Sequence, residues 1–396
     1  MLYANFKDDR LSRLGFGAMR LPQTQDGAID EAQVDEMVAY CMDHGINYFD
    51  TAYPYHDGLS EIVLAKSLKR YPRESYRLAT KYPGHQIAAE YDPADIFEEQ
   101  LRKCEVDYFD YYLLHNVYER SLSVYLDERW GIVDYFAEQV RNGRIKHLGF
   151  STHGSLECME QFLDAAGDAM EFCQIQMNYL DWTLQSAEQK VQMLQERGLS
   201  VWVMEPVRGG ALCKVSDDAA AKMQAAAPGR SAAAWALQWQ IGKPSTVVLT
   251  GSSSMEQLRE NVALFEEGQA LSADEDELLM GVAEGMKDSV PCTACRYCCS
   301  SCPLELDIPY LLELANEVRV APSFNVGMRI DALPQDKRPA ECLACGACSA
   351  MCPQNIDIPG VLANMVEVMA PMPHWDDLCK ARYEAAQKLR AEKEGK

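Results

Sequence analysis

Nine of the fifteen cysteines lie between residues 292 and 352, in two runs. The first run is CTACRYCCSSC, which begins at Cys292, and the second is CLACGACSAMC, which begins at Cys342. Both contain the pattern C-x₂-C-x₂-C-x₃-C followed by proline, and an offset of 50 residues relates every pair. Four thiolates at this spacing are typical ligands of a [4Fe–4S] cluster. The sequence therefore predicts two such clusters.

The cysteine before the proline usually ligates the cluster of the other run. The predicted ligand sets are therefore Cys292, Cys295 and Cys298 with Cys352, and Cys342, Cys345 and Cys348 with Cys302. Zinc is the alternative, because paired C-x₂-C knuckles often bind it, but one zinc ion takes four ligands and needs no second set. Cys299 stands where the second run has Ser349, and we interpret it as a free thiol near the cluster.

The composition excludes several classes of function. The net charge of −23 makes nucleic acid and anionic membranes unlikely partners. No apolar run reaches the length of a membrane span, and the N-terminus lacks the pattern of a secretory signal. Many cysteines without such a signal indicate a reducing compartment, and we expect the cytoplasm. The remaining cysteines, taken as small core residues, are Cys41, Cys104, Cys158, Cys173, Cys213 and Cys379.

Residues 14–265 alternate short apolar runs with amphipathic ones. Strands are predicted at 14–21, 47–52, 77–82, 111–115, 146–152, 172–179, 200–206 and 246–251. Eight strand–helix pairs over this length indicate a (β/α)₈ barrel, an α/β fold. A doubly wound sheet is the alternative, but GFGAMR has two glycines without the third of a dinucleotide fingerprint.

Active sites of such barrels lie at the carboxyl ends of the strands. There the sequence places Asp50 and Tyr55 after the second strand, Lys81 on the third and His115 on the fourth. A lysine ammonium beside a tyrosine stabilises phenolate and lowers its pKa. A tyrosine tuned in this way can donate a proton to a carbonyl oxygen while hydride reaches the carbon.

The segments FDTAYPYHDGLSE, LATKYP, DYFDYYLLHN, GRIKHLGFS and GSSSMEQLREN resemble the aldo-keto reductase superfamily, in the same order, over about residues 10–265. The resemblance implies an NAD(P)H-dependent carbonyl reductase whose tetrad is Asp50, Tyr55, Lys81 and His115, with Tyr55 as the general acid. Tyr53 is too close to Asp50 in sequence to match. The resemblance also implies that Ser151 and Gln174 hold the nicotinamide amide.

The same resemblance places the adenosine end of the cofactor along 249–261, and it exposes departures from the family. Thr152 replaces a frequent asparagine, and Met204 stands where many members stack an aromatic ring. NADP-preferring members often carry cations where this chain has Gly251 and Gln257, and only Arg259 remains nearby. This favours NADH, although the backbone amides around 251–254 suit a phosphate. The predicted cofactor contacts are Ser151, Thr152, Gln174, Met204, Gly251, Ser252, Gln257 and Asn261.

The predicted domains are a barrel over 1–285, a two-cluster domain over 286–372 that resembles helical ferredoxins, and a polar helix over 373–396 without an assigned role. A hydride carries two electrons at once, whereas a cluster carries one. Three hypotheses therefore remain. The barrel reduces a small carbonyl while the clusters are structural or dock a redox partner; the clusters exchange electrons with a substrate or flavin in the barrel; or the barrel is a non-catalytic scaffold.

Overall fold

The computed structural model describes residues 1–86, 88–286, 290, 292, 296, 298–352 and 354–394. Two of the sequence predictions, the ligand Cys295 and the proline Pro353, lie outside these residues. Contacts divide the chain into two compact units. One is Met1–Met280 together with the segment from Arg382 onward, and the other is Gly281–Ala381.

The first unit is the predicted parallel barrel. Its strands are β3 (Leu14–Gly17), β4 (Tyr48–Asp50), β5 (Arg77–Tyr82), β6 (Phe109–Val117), β7 (Ile145–Thr152), β8 (Phe172–Gln176), β9 (Ser200–Met204) and β10 (Val247–Thr250). They pair in chain order, and β10 pairs with β3 to close the barrel. The predicted fold class is therefore confirmed. Every barrel strand overlaps the range predicted for it from the sequence.

Helices surround the barrel. They are α1 (Glu31–Asp43), α2 (Ser60–Leu68), α3 (Pro93–Cys104), α4 (Leu122–Tyr125), α5 (Ile132–Arg141), α6 (Leu156–Ala166), α7 (Asp181–Leu184), α8 (Ala187–Glu196), α9 (Asp217–Ala226), α10 (Ala232–Ile241), α11 (Met255–Glu267) and α12 (Ala273–Met286). Several begin at a side chain that accepts a hydrogen bond from the first turn, as N-caps do. These caps are Asp30, Asp92, Ser155, Ser216, Ser231 and Ser254.

An antiparallel hairpin, which the sequence analysis did not predict, closes one end of the barrel. Its strands are β1 (Tyr3–Phe6) and β2 (Asp9–Ser12). Phe6 is buried against the ring of Trp202, with ring centroids 4.9 Å apart. Asp9 accepts a hydrogen bond from the hydroxyl of Tyr111 at 2.9 Å. The hairpin thus completes the core that the inward residues of the strands form.

The described residues of the second unit form helices and loops, with no strand among them. Its helices are α13 (Ile308–Val320), α14 (Phe324–Ala332), α15 (Ala347–Ala350) and α16 (Ile358–Met369), and α17 (Trp375–Glu394) begins in this unit. The duplicated LDIP and IDIP segments lead into the equivalent helices α13 and α16, with Ile308 and Ile358 buried in one core. The repeat therefore places the two cysteine runs before matching helices.

The isolated cysteines are mostly core residues, as predicted. Cys41, Cys104, Cys158, Cys173 and Cys379 are buried. The prediction was wrong for Cys213, which is exposed at the end of a short 3₁₀ helix after β9, Arg208–Cys213. No described helix has the length and apolarity that crossing a lipid bilayer requires.

Candidate active site and cluster sites

A buried ion pair lies at the mouth of the barrel. Lys81, at the carboxyl end of β5, donates a hydrogen bond to the carboxylate of Asp50, which ends the neighbouring strand β4. Its ammonium also donates to the carbonyl oxygen of Thr51 at 2.8 Å. Both side chains are buried. Burial opposes the charge of Lys81, but Asp50 and Tyr55 outweigh it and raise the pKa of Lys81. The lysine is therefore a fixed cation at neutral pH.

Tyr55 faces this cation from a tight turn. Its hydroxyl oxygen lies 3.4 Å from Nζ of Lys81. The turn that follows holds His56 and Asp57 at positive φ, a conformation that costs non-glycine residues energy and that clusters at functional sites. A backbone amide, that of Leu21, donates to Nε2 of His56 at 3.2 Å and anchors the turn. The strained turn fixes the direction in which Tyr55 points.

The pKa of Tyr55 is raised, whereas the sequence analysis predicted that Lys81 would lower it. Burial raises the pKa of Tyr55, Lys81 lowers it by less, and the nearby Asp50 and Glu205 add to the rise, so the net shift is upward. Lys81 acts in the expected direction, but its effect does not overcome desolvation. A tyrosine with a raised pKa stays protonated at neutral pH, which is the form that a proton donor needs.

His115 completes the group. It lies where the pairing of β6 and β7 shifts register between Leu114 and Val117, and such irregularities redirect side chains next to active sites. Its ring centroid is 5.8 Å from that of Tyr55 and 4.3 Å from that of His85. Burial lowers the pKa of His115 well below its usual value, and His85, Lys81, His153 and Arg382 lower it further. His115 is therefore a neutral imidazole.

The structure thus brings the four residues of the predicted tetrad together. It also adds His85, which sequence reasoning missed. Burial and then Arg382 lower the pKa of His85 to about 3. The ring packing between His85 and His115 joins the loop after β5 to the end of β6. No sequence motif marked this histidine.

Polar side chains continue along the neighbouring strands β7 and β8. Ser151 accepts a hydrogen bond from the backbone amide of Asn116 at 2.8 Å and keeps one proton of its own to donate. Gln174, on the paired position of β8, is buried, and its Oε1 has no hydrogen-bond partner among the described residues. A buried unpaired acceptor costs free energy unless a ligand satisfies it. These two residues fit the amide of a nicotinamide ring.

The hydroxyl of Thr152 contacts the backbone. It donates to the carbonyl oxygen of Val117 at 2.6 Å and accepts from the amide of Gly154 at 3.0 Å. Both bonds hold the backbone after β7, and the contact of Thr152 with a cofactor stays a prediction. Asn116 is the amide side chain beside Ser151, and its Oδ1 accepts from the amide of His153 at 3.1 Å. Met204 ends β9 half-buried.

The loop from β10 to α11 is organised by its own side chains. Ser252 is buried and accepts a hydrogen bond from Asn261 at 3.1 Å. Gln257 accepts from the amide of Ser253 at 2.9 Å, so its side chain closes the turn. Gly251 is exposed. Arg259 lies over the ring of Tyr40 on α1, 5.9 Å from its centroid.

The cation that the sequence analysis missed in this region is Arg20, just after β3. The stem of Arg20 passes 3.4 Å from the position that a Cβ on Gly251 would take, and Nη2 lies 2.8 Å from the equivalent point on Gly209. Its carbonyl oxygen accepts from Ser253 at 3.1 Å. An exposed guanidinium between two glycine-containing loops suits a phosphate. Because Arg20 is distant in sequence from both loops, only the fold could reveal this.

The second unit contains a cavity with four thiols in its wall. These thiols belong to Cys302, Cys342, Cys345 and Cys348, the members of one predicted ligand set. Apolar residues such as Leu306, Ile358 and Leu362 form much of the remaining wall. No three metal-binding side chains among the described residues are close enough to hold a single ion. The thiol donors and the apolar walls fit a larger group such as an iron–sulfur cluster.

The other predicted set is described only in part. Cys298 is buried, Cys292 and Cys352 are partly buried, and all three belong to the core of the unit or pack against it. Burial and then the adjacent Cys299 raise the pKa of Cys298 to about 12. Metal coordination deprotonates such thiols outright. The donor types therefore suit a cluster here as well, and Cys299 is a half-buried thiol beside it.

The barrel with this site defines the class of protein. The sequence profile of the aldo/keto reductase family matches residues 13–280. This match covers more than half of the chain, and the chain belongs to that family of oxidoreductases. A second profile, that of the 4Fe-4S dicluster domain, matches residues 291–356.

Particular relatives come from plants and bacteria. The Probable aldo-keto reductase 1 of Glycine max is 28% identical over 209 residues, 50% of this chain and 57% of the soybean protein, so the chain spans little more than half of that relative. The L-galactose dehydrogenase of Arabidopsis thaliana is 27% identical over 294 residues, 68% of this chain and 89% of that protein. The solved aldo-keto reductase AKR11C1 from Bacillus halodurans in its holo form aligns with a TM-score of 0.56 at 25% identity, covering 69% of this chain and 93% of that one.

Proposed function

We propose that the barrel reduces a small carbonyl compound with NAD(P)H, and that Tyr55 is the general acid. The observation that carries this proposal is the approach of Lys81 to the hydroxyl of Tyr55, 3.4 Å away, with Asp50 holding the lysine. A bound nicotinamide would supply a hydride to the carbonyl carbon. The residues of this chain then bind the nucleotide and the carbonyl compound and transfer one proton.

The proton goes from the hydroxyl of Tyr55 to the carbonyl oxygen as the alcohol forms. Lys81 stabilises the phenolate that remains, because its ammonium is fixed by Asp50 and cannot turn away. His115, a neutral imidazole, has one N–H to donate to the same carbonyl oxygen. The ring of this second donor packs edge-on against that of Tyr55, with the ring centroids 5.8 Å apart.

Ser151 and Gln174 would hold the nicotinamide amide, and the loops around Gly251 and Gly209 would hold the phosphates with Arg20. Arg20 lessens the sequence-based preference for NADH, because a guanidinium favours any phosphate group and also the additional phosphate of NADPH. We therefore assign the cofactor as NAD(P)H without choosing between the two forms. Steady-state oxidation of each nucleotide with a panel of aldehydes tests this step.

We further propose that the second unit carries two [4Fe–4S] clusters, with crossed ligation as the sequence predicts. Such clusters carry single electrons, whereas the reduction in the barrel uses an electron pair. We therefore assign them to structure or to the docking of a one-electron partner, and not to the hydride step. The cavity lined by four thiols supports the ligand set of the second cluster.

An anaerobic titration of the iron-loaded protein separates these roles. NADH and NADPH are added in turn, and the visible absorption of the clusters is followed. We expect no change with nucleotide alone and bleaching with dithionite. Bleaching by a nucleotide would show that electrons pass between nicotinamide and the clusters, and the separate assignment would then be wrong.

A further inference from the structure

The end of α17 is attached to the barrel, although the sequence analysis assigned no role to this helix. The segment from Arg382 onward belongs to the barrel unit and follows every predicted cluster ligand in sequence. Nε and Nη2 of Arg390 both donate to one carboxylate oxygen of Glu99 on α3, and Nε lies 2.8 Å from it. Nη1 lies 3.1 Å from the carboxylate of Asp95, one turn earlier on α3. These charge-assisted contacts hold the segment against α3.

Leu389, the neighbour of Arg390, packs on the turn of the proposed proton donor. One of its methyl groups lies 3.7 Å from the position that a Cβ on Gly58 would take. Gly58 ends the short 3₁₀ helix Tyr55–Gly58, and it follows His56 and Asp57 at positive φ. Non-glycine residues keep such a conformation only when the structure around them holds it. Leu389 is part of that surrounding structure.

Lys103 on α3 contacts the same turn at two points. Its Nζ lies 3.6 Å from the Cβ position on Gly58 and 4.6 Å from the ring centroid of Tyr53. The contact with Tyr53 is made to the ring, so it persists in Tyr53→Phe. Nζ also pairs with a buried carboxylate, that of Glu61, at 2.5 Å. The other oxygen of Glu61 accepts from Thr80 on β5 at 2.7 Å. Lys103 therefore connects the turn to the strand that carries the lysine of the tetrad.

Arg390 supplies the positive charge that Glu99 needs. The side chain of Glu99 is only 10% exposed, and a buried carboxylate without a partner is strongly unfavourable. Glu99 stands four residues before Lys103, and side chains at this spacing share one face of a helix. Without Arg390, we expect Lys103 to turn towards Glu99 and away from Glu61. Arg390 therefore keeps Lys103 beside the turn.

We propose that the end of α17 is a positioning element of the active site, in which Arg390 holds the turn that carries Tyr55. This inference rests on the proposed role of Tyr55. Arg390 acts through Glu99, Lys103 and the adjacent Leu389, and it takes no part in the proton transfer itself. A loosened turn would displace the hydroxyl of Tyr55 from the carbonyl oxygen, and small displacements of a reacting group slow a reaction strongly. The effect should therefore fall on kcat and not on nucleotide binding.

The kinetic test uses the full-length, iron-loaded protein with 4-nitrobenzaldehyde and each nucleotide. Arg390→Met should lower kcat about tenfold and leave the dissociation constant of the nucleotide unchanged. Arg390→Lys should recover part of kcat, since it keeps the charge without the fork. Combining Arg390→Met with Glu99→Gln should also recover part of kcat, because no unpaired carboxylate then attracts Lys103. The matched control is Lys388→Met, which removes an exposed charge from the same segment and should behave as wild type.

Hydrogen exchange followed by mass spectrometry examines the turn without any turnover. The amides of Tyr55 and Leu59 donate to carbonyl oxygens three residues earlier, at 3.1 and 3.0 Å, so their exchange reports opening of the turn. A peptide that covers 53–59 should exchange about tenfold faster in Arg390→Met than in wild type or Lys388→Met. Peptides from β7 should exchange at the wild-type rate, because the effect is local.

Unchanged kcat in Arg390→Met would overturn the inference, whether or not the turn exchanges faster, and so would unchanged exchange of the turn. If Arg390→Met is destabilised throughout or does not fold, Leu389→Ala decides, because it leaves the ion pair intact. Faster exchange confined to 53–59 in Leu389→Ala supports the inference, and unchanged exchange overturns it. If the wild type reduces no aldehyde with either nucleotide, the proposed function fails, whereas exchange of 53–59 still decides whether α17 holds the turn.

Discussion

Nζ of Lys81 lies 3.4 Å from the hydroxyl oxygen of Tyr55, whereas the hydroxyl of Tyr53, two residues earlier, donates to Glu99 at 3.1 Å. The two tyrosines therefore face different environments. Only Tyr55 is beside the buried cation, and Tyr53 is part of the contacts between α3 and α17. Substituting each of the two tyrosines in turn therefore tests whether Tyr55 is the proton donor.

Tyr55→Phe should lower kcat by a factor of about 10² to 10⁴, the usual contribution of a positioned proton donor. Binding of NAD(P)H, followed by quenching of tryptophan fluorescence, should be unchanged, since the phenyl ring remains. Tyr53→Phe is the control and should keep kcat within about twofold of wild type. Similar turnover in Tyr55→Phe and wild type would refute the assignment of the acid.

Arg20→Gln should raise the dissociation constant of NADPH about tenfold, because a charge-assisted contact with a phosphate is lost. The effect should shrink as the salt concentration rises. Arg259→Gln serves for comparison, because Arg259 packs over Tyr40 and should contribute little. If Arg259→Gln weakens binding more than Arg20→Gln does, the phosphate contact belongs to α11.

Crossed ligation predicts opposite results for two double variants. Under this scheme Cys302 and Cys342 belong to one cluster, so Cys302→Ser with Cys342→Ser should leave about four of the ~8 iron atoms per chain. Cys302→Ser with Cys292→Ser should lose both clusters. Ligation within each run would reverse the two outcomes. Cys299→Ser should keep the full iron content, and iron and sulfide analysis under anaerobic conditions measures all three variants.

His85 should make the barrel less stable in mild acid. Burial, and then Arg382, hold the pKa of His85 at about 3 in the folded protein, whereas an unfolded histidine has a pKa near ~6.5. The unfolded chain therefore takes up a proton first as the pH falls below that value. The stabilisation is complete above the unfolded pKa and is lost as the pH falls towards the folded one.

From pH ~7.5 to ~5.5, this one residue should lower the free energy of unfolding by about 1.4 kcal/mol. His85→Gln should lack that part of the pH dependence. Urea unfolding followed by tryptophan fluorescence at both pH values measures the difference. An identical loss of stability in the variant would mean that His85 is already protonated in the folded protein at the lower pH.

The sequence allowed the barrel strands to be predicted, because each is a short apolar run bounded by polar caps. The tetrad followed from its positions at strand ends. The N-terminal hairpin was missed because β1 and β2 are four residues each and only partly apolar. Arg20 and His85 were missed for another reason. Each acts on residues far away in sequence, and such pairings depend on how the chain closes and not on a local pattern.

The pairing of β10 with β3 has a consequence for synthesis on the ribosome. All eight barrel strands are translated before Cys292, so the barrel has its full set of strands before the first predicted cluster ligand emerges. The segment that carries Arg390 is translated after Cys352, the last predicted cluster ligand. A nascent chain therefore acquires its proposed proton donor early, whereas the ion pair of Arg390 with Glu99 forms only after every predicted cluster ligand has been made.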